Sequence, residues 1–405
     1  MLRRDLLIGG GLAAIAACAP KLGPAGAPAG PASAPPTPVP TGEAARWAPY
    51  ASGITIDAAS ALDLFYTGDP TPPGGTPPSP DEVARSIAAD LAAAKASGLT
   101  AVVATVAPQG RFWLDDAAYE KTKRDLASWK AKIAQHPTEL VLIETAADLE
   151  TARATHKLGV VFTFQGTEPL GEDSDRVPVY RQMGVRVIQL THNRRNLVGD
   201  GAMEPGNAGL SRYGHEVVER LNAEQVVVDV AHGSQRTIRE GILASKRPML
   251  ISHTGCRALS DVPRCTPDAE LRLLAERGGV AGMILWPYLR TDTQPTASDL
   301  IRHIEHAVNV CGEDHVGIGS DTGVAPIERT PAFEKDNREM IADMVKQGIF
   351  GPGRPADLYT FLPDLNFANR YETLGAMLVL RGHADARIAK ILGGNFARVM
   401  REVWG

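Results

Sequence analysis

The chain has 405 residues, of which 44% are hydrophobic and 22% are charged, and its formal net charge is −5 at pH 7. This composition is ordinary for a globular protein, and it excludes an electrostatic basis for binding nucleic acid. The length suits one large α/β domain or two smaller ones, so size alone does not set the number of domains.

The N-terminal segment, residues 1–18, has the pattern of an export signal. Arg3-Arg4 precede an apolar stretch, Leu6–Ala17, that is too short to span a bilayer as a helix. The paired arginines resemble a twin-arginine signal, and the residues up to Cys18 resemble a lipobox, in which this cysteine becomes an acylated N-terminus. An ordinary secretory signal with a chance cysteine is the alternative. We expect an exported lipoprotein that faces the periplasm and meets the membrane only through its lipid anchor.

Residues 19–45 are rich in proline, alanine and glycine and contain nothing apolar enough to build a core. Such a composition predicts an extended, semi-rigid tether. We place the folded domain at residues 46–405.

In this domain, short apolar runs alternate with helical patterns, which predicts an α/β fold. Most runs are unbroken rather than alternating, as expected for strands that are buried on both faces of a parallel sheet. The predicted strands are Gly53–Asp57, Thr100–Val106, Leu140–Ile143, Val160–Phe164, Arg186–Leu190, Val226–Val230, Pro248–Ser252, Val280–Leu285 and His315–Gly319.

These nine runs are one too many for an eightfold barrel, and we place the shortest, Leu140–Ile143, outside it. The helix after the first strand has clear boundaries, with Ser79 as its N-cap, Pro80 at its first position and Gly98 at its end. A doubly wound open sheet is the alternative, but no glycine-rich phosphate loop follows the first strand. The pattern favours a (β/α)8 barrel of the TIM type.

The residues that directly follow the predicted strands carry the candidate chemistry, because active sites of such barrels lie at the C-terminal ends of the strands. Four of these residues are His192, His232, His253 and Asp321. Neutral imidazoles and a carboxylate that meet at one barrel mouth can bind zinc or a similar divalent ion. His303 and His306 share a helical pattern and no strand end, so surface or packing roles are predicted for them.

Several motifs resemble, in order and spacing, the membrane (renal) dipeptidase family of the amidohydrolase superfamily. They are QLTHNRRNLVGDG, GLSRYGHEVVERLN, VVVDVAHGS, MLISHTG, HVGIGSD and ILGGNFARVMREVW, and the resemblance runs from about residue 50 to the C-terminus. It implies a (β/α)8 barrel with two zinc ions that hydrolyses dipeptides and, in some members, β-lactams.

The resemblance also implies that half of the metal site has been lost. The family's first strand ends in Asp-Gly-His-Asn-Asp, and its two ligands fall here on Ala59 and Ala61. The family's bridging glutamate falls on Gln165, which is neutral and cannot screen two cations. We therefore expect at most one zinc ion, unless Asp57 or Glu168 has taken over a missing position.

Five other family positions are retained, although the asparagine that usually follows the family's arginine is Cys265 here and the family's Asp-Phe-Asp-Gly ending of the last strand is reduced to Asp321-Thr322-Gly323. His232, His253 and Asp321 match metal ligands, with Asp321 as third ligand or general base. His192 matches the substrate-contacting histidine, and Arg264 matches the arginine that binds the substrate carboxylate.

Two interpretations of this set remain open. In the first, one zinc ion is held by His232, His253 and Asp321 and dipeptides are hydrolysed. His192 then steadies the developing oxyanion as a catalytic residue, and Arg264 binds the substrate carboxylate. In the second, the chain is a non-catalytic descendant that binds a peptide or a cell-wall fragment in the barrel mouth. A small peptide is the expected ligand in both, and a homodimer is compatible with both. A sugar-binding or scaffold barrel has no support in the motifs.

Cys256 and Cys265 flank the segment that leads to Arg264. An oxidising compartment permits a disulfide between them, which would stiffen this segment. The alternative is two unpaired buried cysteines.

Overall fold

The computed structural model describes residues 36–62, 64, 79–106, 116–351, 353–355 and 357–405. The predicted export signal, with Arg3, Arg4 and Cys18, and most of the predicted tether lie outside the described residues. From Thr37 onward, the described residues form one compact unit. A helical turn at Gly42–Ala45 belongs to it, and Ala45 is buried.

One sheet contains all the strands of the described part of the chain, and its neighbouring strands pair in parallel. The strands are β1 (Ile56–Ala61), β2 (Ala101–Thr105), β3 (Leu140–Leu142), β4 (Leu158–Phe164), β5 (Val185–Gln189), β6 (Val227–Asp229), β7 (Leu250–Cys256), β8 (Cys265–Thr266), β9 (Val280–Met283), β10 (Val316–Ile318) and β11 (Thr322–Gly323).

The main path through the sheet is β10-β9-β7-β6-β5-β4-β2-β1-β11. Because β11 follows β10 after the short connection Gly319–Asp321 and pairs with β1, the two ends of the path meet. The Asp321 backbone N–H donates to the Ala59 carbonyl oxygen at 2.7 Å at this closure. The predicted TIM-type fold is confirmed, with β1, β2, β4, β5, β6, β7, β9 and β10 as its eight strands.

The prediction for the ninth run is also confirmed, because β3 lies off the main path and pairs with β4. The short strands β8 and β11 were not predicted. Each has two residues, which is too short for a periodic pattern.

Helices follow most of the strands, and none among the described residues is long and apolar enough to cross a bilayer. They are α1 (Pro80–Ser97), α2 (Asp116–Gln135), α3 (Ala146–Thr155), α4 (Arg176–Gln182), α5 (Arg212–Ala223), α6 (Gln235–Ala244), α7 (Asp268–Glu276), α8 (Ala297–Cys311), α9 (Pro331–Lys346), α10 (Arg370–Leu380), α11 (Asp385–Ala389) and α12 (Asn395–Trp404). The predicted ends of α1 are confirmed. Ser79 forms a capping box with Glu82, and Gly98 ends the helix with a φ of 66°.

The buried apolar side chains form two clusters. The larger includes the strand residues that face the helices. The smaller combines inward-facing strand residues such as Ile56, Val187 and Leu250 with the apolar face of α12. Phe396 of α12 packs against Gly317, where an added Cβ would come within 2.2 Å of the ring. Because these strand residues lie at or near strand N-termini, α12 closes the bottom of the barrel and leaves the C-terminal mouth for the site.

The disulfide between Cys256 and Cys265 is absent, and both thiols are free and buried. In the parallel pairing of β7 with β8, Cys265 stands opposite Gly255 rather than Cys256. The Cys256 sulfur contacts the His303 carbonyl oxygen at 3.4 Å, whereas the Cys265 sulfur contacts the Tyr288 carbonyl oxygen at 3.5 Å. One register step therefore directs the two thiols to different neighbours.

Candidate metal and peptide site

A cavity of about 350 Å³ lies at the C-terminal mouth of the barrel. Its polar lining includes Ser60, Thr105, Gln165, His192, Asn193, His232 and Asp321. Its apolar lining consists of Ala61, Trp286, Tyr288, Met344 and Ile349. The cavity thus has a polar part at the strand ends and an apolar wall, as in sites that bind small organic ligands.

His232, His253 and Asp321 form a group whose candidate ligand atoms all lie within 4.8 Å of one another. The two histidine Nε2 atoms are 2.8 Å apart, and His253 Nε2 is 3.9 Å from Asp321 Oδ2. In a tetrahedral zinc site, neighbouring ligand atoms are about 3.3 Å apart, so shifts on the order of an ångström would fit these atoms around one ion.

Local backbone irregularities place these three side chains. His232 and Asp321 follow β6 and β10 in left-handed conformations, with φ of 61° and 58°. His253 lies in β7 where the register with β9 shifts, as it does at a β-bulge. Such conformations are costly for residues other than glycine and are found preferentially at functional sites.

Burial shifts the pKa values of the candidate metal group and of the neighbouring His192 towards their neutral forms. The pKa of His192 is lowered to about 4 by burial and by the nearby Arg264 guanidinium. The same two causes hold the pKa values of His232 and His253 well below the ordinary value. All three rings are neutral at pH 7, which is the form that binds metal ions. Burial raises the pKa of Asp321 to about 6, although Arg264 and a hydrogen bond with Gln165 oppose this shift.

Arg264 is 4% exposed, and its guanidinium lies over the Tyr288 ring at 5.4 Å. Its Nε and Nη2 atoms have no hydrogen-bond partner among the described residues. A buried cation with unsatisfied N–H groups is unfavourable, so this side chain is suited to receive an anion such as a carboxylate. Arg264 and His253 are not among the residues that line the cavity, but the positive charge of Arg264 contributes to the lowered pKa values of all three histidines.

The positions at which the resemblance implied lost ligands do not all face the cavity. Ala61 and Gln165 line it, but Ala59 is not among the lining residues and is 2% exposed. The predicted first strand ended at Asp57, whereas β1 continues to Ala61, so the alanines lie within the strand rather than after it. The register with β2 shifts between Asp57 and Ser60, and the Ala59 carbonyl takes part in barrel closure.

The two carboxylates considered as replacements are outside the candidate metal group. Asp57 accepts hydrogen bonds from the Ser320 backbone at 2.8 Å, the Ser320 hydroxyl and the Tyr371 hydroxyl. Glu168 accepts one from Asn196 at 3.3 Å, and burial raises its pKa. Asp57 joins two strands and α10, so its role is structural.

Three residues that touch or support the group were not predicted. Asn193 contacts His232, Ser252 contacts His253, and Asp229 contacts Ser252. A signal was present for two of them, because Asp229 and Ser252 are polar residues inside otherwise apolar runs. His303 has both ring nitrogens bonded to backbone groups, which confirms its predicted packing role.

The family model described as membrane dipeptidase (peptidase family M19) matches residues 79–348. Dipeptidase verJ of Clonostachys rogersoniana is 32% identical over 255 residues, which cover 58% of this chain and 62% of that protein. Dipeptidase tcpJ of Claviceps purpurea is 26% identical over 306 residues, which cover 73% of this chain and 64% of that protein. The chain therefore spans somewhat less than two thirds of the length of these relatives.

Among solved structures, an amidohydrolase from Pseudomonas aeruginosa is similar, with 25% identity and a TM-score of 0.71 over 88% of this chain and 98% of that one. A metallopeptidase from Rhodobacter sphaeroides, liganded with a phosphinate mimic of the dipeptide L-Ala-D-Ala, has a TM-score of 0.65 at 16% identity. That match covers 87% of this chain and all of the other, and it shows a shared fold.

Proposed function

Because the chain belongs to the membrane dipeptidase family, we propose that it binds dipeptides in the barrel mouth and hydrolyses them slowly with one divalent metal ion. The observation that carries this proposal is the group of His232, His253 and Asp321, together with the buried Nε and Nη2 atoms of Arg264, which have no hydrogen-bond partner among the described residues. The first can hold a cation and the second can hold the carboxylate of a short peptide.

His232 and His253 would hold the ion through Nε2, and Asp321 through one carboxylate oxygen. A divalent ion at this point supplies Lewis-acid polarisation of the scissile carbonyl. Arg264 donates its free N–H groups to the peptide's terminal carboxylate. The neutral His192 ring, stacked on His232 at 4.1 Å, donates a hydrogen bond to the carbonyl oxygen as negative charge develops. Asp321 accepts a proton from the attacking water at its other oxygen and returns it to the amine nitrogen as the peptide C–N bond breaks.

The residues present do not fit a second ion. Ala59 and Ala61 have no donor atoms, and the neutral Gln165 side chain is hydrogen-bonded to Asp321. A pair of cations roughly 3.5–4 Å apart needs a bridging carboxylate to offset its charge. We propose zinc, with at most one ion per chain.

The hydrogen bond between Gln165 and Asp321 favours a second candidate function. In this contact the Asp321 carboxylate accepts a hydrogen bond from a neutral amide, which makes Asp321 a weaker base. In this case the protein binds a dipeptide or cell-wall fragment through Arg264 without cleaving it.

Metal analysis and a hydrolysis assay with an apolar dipeptide test these candidates together. We expect up to one zinc ion per wild-type chain and a slow turnover, and the loss of both in His232→Ala. His306→Ala is the matched control, because this histidine pairs with Asp268 at 2.8 Å and lies outside the group. Zinc binding without turnover would select the second candidate. Two ions per chain with rapid turnover would contradict the one-ion site.

We also propose that the protein is exported and held at a membrane by lipid on Cys18. Support comes from the order of Arg3-Arg4, a short apolar stretch and the lipobox-like residues Ile15–Cys18.

A further inference from the structure

We propose that Asn193 and Ser252 are positioning residues that turn His232 and His253 so that both Nε2 atoms face one metal ion, and that Asp229 acts behind Ser252. This inference rests on the one-ion proposal and identifies the residues that determine the geometry and affinity of that site.

The His232 ring is oriented by Asn193. His232 Nδ1 lies 2.9 Å from Asn193 Oδ1. The two residues are also tied to one loop, because the Ala202 N–H donates to the His232 carbonyl at 2.6 Å and the Met203 N–H donates to the Asn193 carbonyl at 2.9 Å. Gly201 directly precedes Ala202 in this loop. It has no room for a side chain, because an added Cβ would lie 2.0 Å from the His192 carbonyl oxygen. A tightly packed loop therefore holds the histidine and its partner in one geometry.

The His253 ring is oriented by Ser252. His253 Nδ1 lies 2.8 Å from Ser252 Oγ, which in turn donates to Asp229 Oδ2 at 2.5 Å. The other oxygen, Asp229 Oδ1, accepts from the backbone N–H groups of Ser252 at 2.9 Å and Ala231 at 3.0 Å. Because the Ser252 hydroxyl hydrogen is directed at Asp229, a lone pair of Oγ remains for a ring N–H of His253.

The two arrangements have the same consequence. A histidine binds a metal ion through an unprotonated nitrogen while its other ring N–H donates to an oxygen, and that contact fixes the ring and increases its basicity. Here both Nδ1 atoms meet oxygen acceptors and both Nε2 atoms converge at 2.8 Å. His303 differs, because backbone groups, rather than another histidine, meet both of its ring nitrogens.

Zinc affinity, measured by competition with a chelator, tests the proposal with paired substitutions. Ser252→Ala and Asn193→Leu remove the acceptors and should weaken zinc binding about 10- to 100-fold. Ser252→Thr keeps the hydroxyl and should restore affinity. Asn193→Asp supplies a stronger acceptor and should tighten binding, an increase that a merely structural role would not produce. Ser245→Ala is the matched control, because this buried serine donates to the Arg247 carbonyl at 2.8 Å on another loop.

Nitrogen-15 NMR of the histidine rings in zinc-free protein makes the test independent of metal binding. Ser252→Ala should shift the Nδ1 signal of His253, Asn193→Leu should shift that of His232, and Ser245→Ala should shift neither. If these signals do not move, or if both acceptor-removing variants bind zinc like the wild type, the positioning roles are wrong. A wild type that binds no zinc but shows the expected NMR shifts would contradict the one-ion function and retain the ring-orientation roles.

Discussion

Asp321 combines two features that cost folding free energy. Its backbone is left-handed, with a φ of 58°, and burial raises the pKa of its carboxyl group to about 6. The backbone conformation is held by hydrogen bonds from the Asp321 N–H to Ala59 and from the Trp286 indole to the Asp321 carbonyl. Residues that bind or react with ligands are often retained at such a cost to stability.

The substitution Asp321→Asn should therefore stabilise the zinc-free protein at pH 8. The folded-state pKa of about 6 lies above the ordinary value of 3.8, so the folded protein binds more protons than the unfolded chain between these values. The free energy of unfolding of the wild type therefore falls as the pH rises from about 4 through about 6. The variant has no carboxyl group at this position and does not lose this stability. The shift corresponds to at most about 3 kcal/mol at pH 8, declining towards zero near pH 4. Denaturant unfolding in the presence of a chelator at several pH values measures the difference.

Asp292→Asn is the control for that experiment. A hydrogen bond with Arg290 lowers the pKa of this exposed carboxyl group to about 2, so its substitution should reduce stability at pH 8, if only slightly. Equal stability of wild type and Asp321→Asn at pH 8 would show that burial does not penalise the Asp321 carboxylate.

At the scale of elements, β1 and β7 share a structural feature, which is a change of register within the strand. Each changes register with a neighbouring strand just where the site begins, between Asp57 and Ser60 in β1 and between Ile251 and Thr254 in β7. An extra residue at such a point redirects the side chains that follow it. In β7 this shift accompanies the placement of His253 in the candidate metal group, whereas in β1 the corresponding segment carries alanines.

The helix α12 closes the end of the barrel opposite the candidate site, and Phe396 is one of its residues that pack against the strands. Phe396 is fully buried among inward-facing strand residues, and Phe396→Ala should lower the free energy of unfolding by about 3–5 kcal/mol. Arg401→Ala on the exposed side of α12 removes a solvent-exposed ion pair with Glu150 and should cost less than about 1 kcal/mol. Thermal or denaturant unfolding compares the two. If the two substitutions lowered the free energy of unfolding by similar amounts, the packing of α12 against the strands would not contribute as proposed.

At the scale of the whole molecule, the prediction concerns the cellular location of the protein and its attachment to a membrane. If Cys18 is acylated after export, the wild type should fractionate with membranes, and Cys18→Ser should appear in the soluble fraction. Arg3→Lys with Arg4→Lys should instead reduce export, because it alters the paired arginines and leaves the cysteine intact. Immunoblots of membrane, periplasmic and cytoplasmic fractions measure the distribution. Recovery of wild type and Cys18→Ser in the same soluble fraction would contradict the anchor.

The barrel closes through contacts that no single segment contains. Ser320, in the connection that follows β10, donates to Asp57 of β1, and the Tyr371 hydroxyl of α10 donates to the same carboxylate. This closure brings Asp321 next to His253, although the two residues are far apart along the chain. The candidate site thus depends on the complete barrel.

The sequence by itself determined the features that reside in local patterns. Unbroken apolar runs predicted the parallel strands, the Ser79 and Gly98 signals predicted α1, and ordered motifs identified the family. Only the tertiary structure decided the 2.8 Å approach of the two histidines, the supports from Asn193, Ser252 and Asp229, the unpaired guanidinium of Arg264 and the separation of Cys256 from Cys265. These features depend on strand register and on side-chain directions across the barrel, and a one-residue change in pairing alters which groups meet. The physical reason is that local patterns record how each segment buries its own apolar surface, whereas a site is made of contacts between segments.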